Sequence, residues 1–181
     1  MKLKLLIIIV ALQAAWILGT TVVQERARAQ GAAILLETRP VDPRDLLRGD
    51  YVILNYKISD IPFDRFTPPR TNAVPAGETV YVALEQRGEF HEITFASTTP
   101  IDPAPGYVIL KATSRNSWRQ SDAWRVHVDY GLERYYVPEG TGNPQGKLTV
   151  KAAVPASGQA TIKEVLLDGK PYATAMKSQV H

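Results

Sequence analysis

There is no cysteine in the 181 residues. Disulfides are excluded, and with them thiolate zinc sites, thiol redox chemistry and cysteine nucleophiles. The absence assigns no compartment, since extracytoplasmic domains often lack disulfides. Histidine is scarce too. His91, His127 and His181 share no metal-ligand spacing, and Asp42, Asp45 and Asp50 do not match a calcium loop, so no metal and no cofactor is expected. Nor is there a basic stripe. The 21 Lys and Arg, less Lys2 and Lys4 ahead of the first apolar run, are 19 against 18 acidic residues. The remainder is nearly neutral, and nucleic acid is not expected as a partner. The Gly-rich "EGTGNPQGK" (139–147) lacks the Lys-Ser/Thr ending of a phosphate loop and reads as a connection. No internal repeat is present, and no sustained helical periodicity follows residue 30.

What is present begins with a long uncharged run. "LLIIIVALQAAWILGTTVV" (Leu5–Val23) has the length of a bilayer-crossing helix, with Gln13 its one strongly polar member. A cleavable signal peptide has a shorter apolar run. Ala27, Arg28 and Ala29 imitate its cleavage site, but Glu25, Arg26 and Arg28 crowd it. The expectation is an uncleaved transmembrane signal anchor in contact with the lipid bilayer, the domain behind it lying outside the cytoplasm. Release of a soluble binding protein by cleavage after Ala29 is the competing reading.

Period-2 alternation dominates thereafter. In "YVILNYKI", Val52, Leu54, Tyr56 and Ile58 share one face, and Tyr51, Ile53, Asn55 and Lys57 the other. "TVYVALE" repeats the pattern, "QRGEF" turns it into "HEITFAS", and "GYVILKAT", "AWRVHVDY", "KLTVKAAV" and "ATIKEVLL" continue it. "SRNSWRQSD" (114–122) reads as an exposed polar loop, and "DPRDLL" as at most one turn of helix. The spacing predicts a mostly β protein: a single N-terminal transmembrane helix, then one all-β domain of about eight strands, a sandwich or partly open barrel. The expected boundaries are a tail over 1–4, the anchor over 5–23, a linker over 24–33, the β-domain over 34–175 and a C-terminal tail over 176–181.

Gly49, Asp50, Tyr51, Leu54 and Tyr56 spell GDYxxLxY letter for letter, with "RPVDPRDLLR" (39–48) before them and "YGLERYYVPEG" (130–140) after. In this the chain resembles the GDYXXLXY family, bacterial membrane-anchored proteins of unassigned function. The resemblance covers most of the chain. It implies a bacterial cytoplasmic-membrane location and a multi-pass membrane protein as partner, but no chemistry. "PRDLLRGDYVIL" is also similar to segments of type I signal peptidases, which need a serine nucleophile and an unprotonated lysine. Laying their boxes on this stretch puts Pro40 or Val41 where the serine should stand and Leu47 where the lysine should, so peptidase activity is not expected.

Gly49 suits a tight turn ahead of a strand, and Asp50 suits a turn carboxylate paired with Arg44 or Arg48. Leu54 and Tyr56 belong to the core face, whereas Tyr51 faces the other way as a contact residue. The downstream segment adds Glu133, Arg134, Tyr136 and Glu139. Arg48, Asp50, Tyr51, Glu133, Arg134, Tyr136 and Glu139 are therefore the candidate partner or ligand contacts, and Gly49, Leu54 and Tyr56 the structural part of the motif. The first functional expectation is a non-catalytic, membrane-anchored β-domain that docks onto a multi-pass membrane protein or another envelope component. The alternative is an envelope hydrolase with an acid–base pair drawn from Asp50, Glu133 and Glu139.

Overall fold

The computed structural model describes residues 2–39, 51–120, 123–138, 144 and 146–179. Eleven β-strands form among them, all paired antiparallel, in three hydrogen-bonded groups. The first sheet joins β1 (Ala32–Glu37), β9 (Leu148–Val154), β10 (Thr161–Leu167) and β11 (Lys170–Pro171) in the order β1-β9-β10-β11. The second joins β3 (Asp60–Pro62), β7 (Ala123–Asp129), β6 (Tyr107–Gln120), β4 (Thr79–Arg87) and β5 (Phe90–Ser97) in the order β3-β7-β6-β4-β5. A ribbon of β2 (Tyr51–Ile53) and β8 (Arg134–Tyr136) completes the set.

The sheets nearly close on one another. At one edge the Leu35 N–H of β1 donates to His91 Nδ1 of β5, 3.3 Å away. Elsewhere the Lys111 N–H of β6 donates to the Gly158 carbonyl, in the turn between β9 and β10, at 2.9 Å. A near-barrel of this kind leaves few unpaired strand edges. Its interior follows the alternation: Val80, Val82 and Leu84 of β4, Leu110 and Ala112 of β6, Val126 and Val128 of β7, and Ile34 and Leu36 of β1 all join one core. Burying each such branched side chain stabilises the fold by about 1.5–3 kcal/mol before entropy is counted.

Three expectations change. The polar stretch 114–120 is not a loop but the second half of β6, continued past a bulge between Ser114 and Asn116. Its serines bind a neighbouring segment: Ser114 Oγ accepts the Glu78 N–H at 3.0 Å, and Ser117 Oγ accepts the Val74 N–H at 3.1 Å. The C-terminus carries a helix, α2 (Tyr172–Gln179), which buries Tyr172, Ala175 and Met176 against the core.

The third correction concerns the N-terminus. A helix is present there, α1 (Lys2–Gln30), but among the described residues no helix is long and apolar enough to cross a membrane. Its described side chains from Leu6 to Val22 are mostly apolar. Gln13, Thr20 and Thr21 interrupt that stretch, the two threonines turning their hydroxyls back to the Trp16 and Ile17 carbonyls. The expected transmembrane span is therefore not supported.

Candidate functional site

The motif strand and the downstream "ERYY" meet face to face. Pairing of β2 with β8 sets Tyr51 opposite Tyr136, Val52 opposite Tyr135 and Ile53 opposite Arg134. One step on, the Leu54 N–H donates to the Glu133 carbonyl at 2.9 Å. Alternation divides the motif: Val52, Leu54 and Tyr56 enter the core, and Tyr51 stays half-exposed on the other face. Tyr56 finds its hydroxyl a partner in the Leu132 carbonyl, at 2.7 Å.

On the outer face three of the candidate contacts form one cluster. The Tyr51 and Tyr136 rings lie 5.9 Å apart at a tilt of 59°. The Arg134 guanidinium sits over the Tyr51 ring, 5.4 Å from its centroid, a cation–π distance. Tyr136 is 71% exposed, much more than a large aromatic usually is in a folded domain.

Beside this cluster opens a surface cleft of about 500 Å³, and Lys111, Arg115, Asp129, Glu133, Arg134 and Tyr136 are among its lining residues. Glu133 is also tied to its own turn. Its Oε1 accepts the Tyr130 N–H at 2.6 Å, bracing the turn that ends at β8. Burial raises its pKa, with backbone N–H groups of the turn partly opposing the shift. Asp129 pairs with Arg115 across β6 and β7. From Asp129 an ionic chain continues: His127 Nε2 lies 3.8 Å from Asp129, and His127 Nδ1 is hydrogen-bonded to Asp60 at 2.6 Å. Asp60 also binds Arg39.

Of the residues expected at the site, Tyr51, Glu133, Arg134 and Tyr136 are brought together, while Leu54 and Tyr56 underpin them from the core. Arg48, Gly49, Asp50 and Glu139 lie outside the described residues. Of the acid–base pair drawn from Asp50, Glu133 and Glu139, Glu133 alone lies among the described residues, and its Oε1 accepts the Tyr130 N–H. Among the described residues no three His, Asp or Glu gather as metal ligands would. Lys111 and Arg115 were not singled out in the sequence. Polar composition over 114–122 conceals Arg115; as a strand residue it stands across from β7, where a charge pair with Asp129 is the ordinary outcome.

The family model described as GDYXXLXY protein matches residues 13–165. No curated protein and no solved structure matches the chain. The likeness to type I signal peptidases thus finds no support in relatives, as the missing serine and lysine already suggested. The match instead runs through the motif strand, the ribbon partner that seats it and most of both sheets, and the chain belongs to the GDYXXLXY family.

Proposed function

We propose that the β-domain is a non-catalytic docking module, held at the outer side of the bacterial cytoplasmic membrane by a multi-pass membrane protein. The observation that carries this reading is the exposed cluster of Tyr51, Arg134 and Tyr136 on a ribbon fixed from beneath by Tyr56. Tyrosine and arginine on a rigid support are the residue types that anchor protein interfaces, because they bring large contact area at little entropic cost. A second feature supports it. Apart from Lys4, Gln13, Thr20 and Thr21, the described side chains of α1 are apolar, and its large hydrophobics are exposed, Trp16 to 73%. A helix so largely apolar is ordinarily covered, and in this reading the partner's apolar surface covers it.

The experiment is crosslinking of the full chain in native membranes, followed by affinity purification. A polytopic protein is expected in stoichiometric yield. Tyr51→Ala and Arg134→Ala are expected to lower its recovery about tenfold, with melting temperatures within about 2 °C of the parent. Recovery of the chain alone after efficient crosslinking overturns the reading.

A further inference from the structure

The charges of the cleft do not cancel. Arg115 and Asp129 satisfy each other. Glu133 is held by the backbone of its own turn. That leaves Lys111 and Arg134, neither of which is ion-paired with a carboxylate among the described residues. Both are exposed, and both stand on fixed backbone: the Lys111 N–H is bonded to the Gly158 carbonyl, and Arg134 lies in the β2–β8 register. Arg134 is further positioned by the Tyr51 ring. Three cations against two carboxylates leave the cleft one net positive charge. Lys111 and Arg134, set in a concave surface with an aromatic wall and free of ion-pair partners among the described residues, call for an anion.

The acids of the cleft decide which anion. Asp129 and Glu133 line the same space as the two cations. A phosphate, nearly doubly charged, or an extended polyanion would meet both acids at close range. A single carboxylate carries one charge and meets less repulsion. Its methylene groups can lie against the exposed Tyr136 ring.

We propose that the cleft receives an acidic side chain, Asp or Glu, from a segment of the docking partner, with Lys111 and Arg134 as its cationic contacts and Tyr136 as its apolar wall. This rests on the docking reading and names the chemistry of the partner's contact segment. The carboxylate supplies charge-assisted hydrogen bonds, and the fixed positions of the two cations set the register of the segment.

The test uses the purified full chain in neutral detergent micelles and a capped tetraglutamate peptide, followed by amide-detected NMR. Saturable shifts are expected at Lys111, Gly131, Arg134 and Tyr136. A capped tetraglutamine peptide is expected to produce none. Arg134→Gln and Lys111→Gln should each weaken the tetraglutamate peptide about tenfold, with the dispersed spectrum of a folded domain retained in both. The proposal is overturned if the acidic peptide fails to saturate, if both variants bind it as the parent does, or if inorganic phosphate saturates the same amides as tightly. Because no partner enters this titration, its failure removes the acidic contact alone. Failure of the membrane crosslinking removes the docking reading, and with it the partner as source of the carboxylate, while the affinity of the cleft for an acidic peptide stands.

Discussion

The Tyr56 hydroxyl donates to the Leu132 carbonyl at 2.7 Å, and the Tyr130 hydroxyl returns the bond, donating to the Ile58 carbonyl at 2.7 Å. The motif segment and the segment that leads into β8 are therefore bolted together twice. Both hydroxyls are buried, and burial holds both phenols well above their usual pKa, so they remain neutral donors. Tyr56→Phe leaves a buried carbonyl without this donor, at an expected cost of about 1–3 kcal/mol, and Tyr130→Phe a similar one. Because the two bonds brace one junction, the double variant should depart from the sum of the single losses. Urea denaturation measures all three. An unchanged midpoint in Tyr56→Phe would deny the bond any part in stability.

The histidines predict a stability that falls off on both sides of neutrality. The hydrogen bond that His127 donates to Asp60 holds the His127 pKa above its ordinary 6.5, burial opposing it. Its contribution is fully present below 6.5 and is lost as pH rises through the raised folded value. His91 has the opposite sign. Burial lowers its pKa, and its Nδ1 lone pair is taken by the Leu35 N–H, so it must stay neutral to keep that bond. Stability is full above 6.5 and declines as pH falls from there toward the lowered folded value. Burial alone would raise the Asp60 pKa, but hydrogen bonds from His127 and Arg39 lower it on balance. Its contribution, present above 3.8, is lost in stronger acid as pH falls through the lowered folded value. Melting curves from about pH 5 to 8 should show His127→Gln losing the alkaline decline and His91→Gln losing the decline below neutrality. Parental pH profiles in both variants would rule the two histidines out as its source.

Ser114 is 2% exposed, its Oγ accepting the Glu78 N–H and donating to the Pro75 carbonyl. Ser114→Ala removes both bonds, leaving the Glu78 N–H and the Pro75 carbonyl only their long 3.3 Å bond to each other, and should cost about 1–3 kcal/mol for the two bonds together. Ser117, only part-buried, makes the same kind of pair with Val74, and Ser117→Ala should cost about 0.5–1.5 kcal/mol. Hydrogen exchange locates the effect: the Glu78 amide should lose protection in the first variant and the Val74 amide in the second. Protection unchanged at both would mean that the backbone bonds alone hold this segment.

Those serines also show where the sequence was opaque. Alternation marked Val52, Leu54 and Tyr56, and Val80, Val82 and Leu84, because one face of each strand is buried and the other is not. It could not mark 114–120, where the inward residues are polar and are satisfied by a segment some forty positions earlier. The α2 helix is a bare two turns, too short for a 3.6 period to declare itself. The N-terminal helix is visible in the sequence, but among the described residues no helix is long and apolar enough to cross a membrane. The site was half legible. The split between Tyr51 outside and Tyr56 inside follows from period 2 alone. The meeting of Tyr51 with Arg134 is a long-range pairing that no local pattern encodes, and Lys111 resembles any other exposed strand lysine until its cleft is seen.

No described α1 side chain belongs to the core cluster. A chain beginning at Gly31 should therefore keep a cooperative melt within about 4 °C of the full chain, and should be monodisperse without detergent because the exposed apolar helix is gone. Size-exclusion chromatography and a thermal melt check both. Loss of the cooperative transition would show that α1 contributes packing to the fold.

The turn between β9 and β10 offers a sharper test of how the cleft is built. Gly158 has φ +78°, and a methyl group added there would stand 3.2 Å from the Ile109 carbonyl oxygen and 3.3 Å from the Lys111 nitrogen. Its neighbour Gln159 reaches the Tyr130 carbonyl at 3.4 Å and lines the cleft. Gly77, with φ +84°, has nothing within 4 Å of such a methyl. Gly77→Ala therefore reports backbone strain alone, about 1 kcal/mol, whereas Gly158→Ala adds crowding against β6 and should cost about 2–3 kcal/mol. Denaturation of the pair isolates the close approach. A Gly158→Ala variant should also shift the Lys111 and Gln159 amides in NMR, since the turn must lift from the strand to admit the methyl. Equal losses in the two variants, with those amides unmoved, would mean that the turn yields freely and does not set the cleft wall.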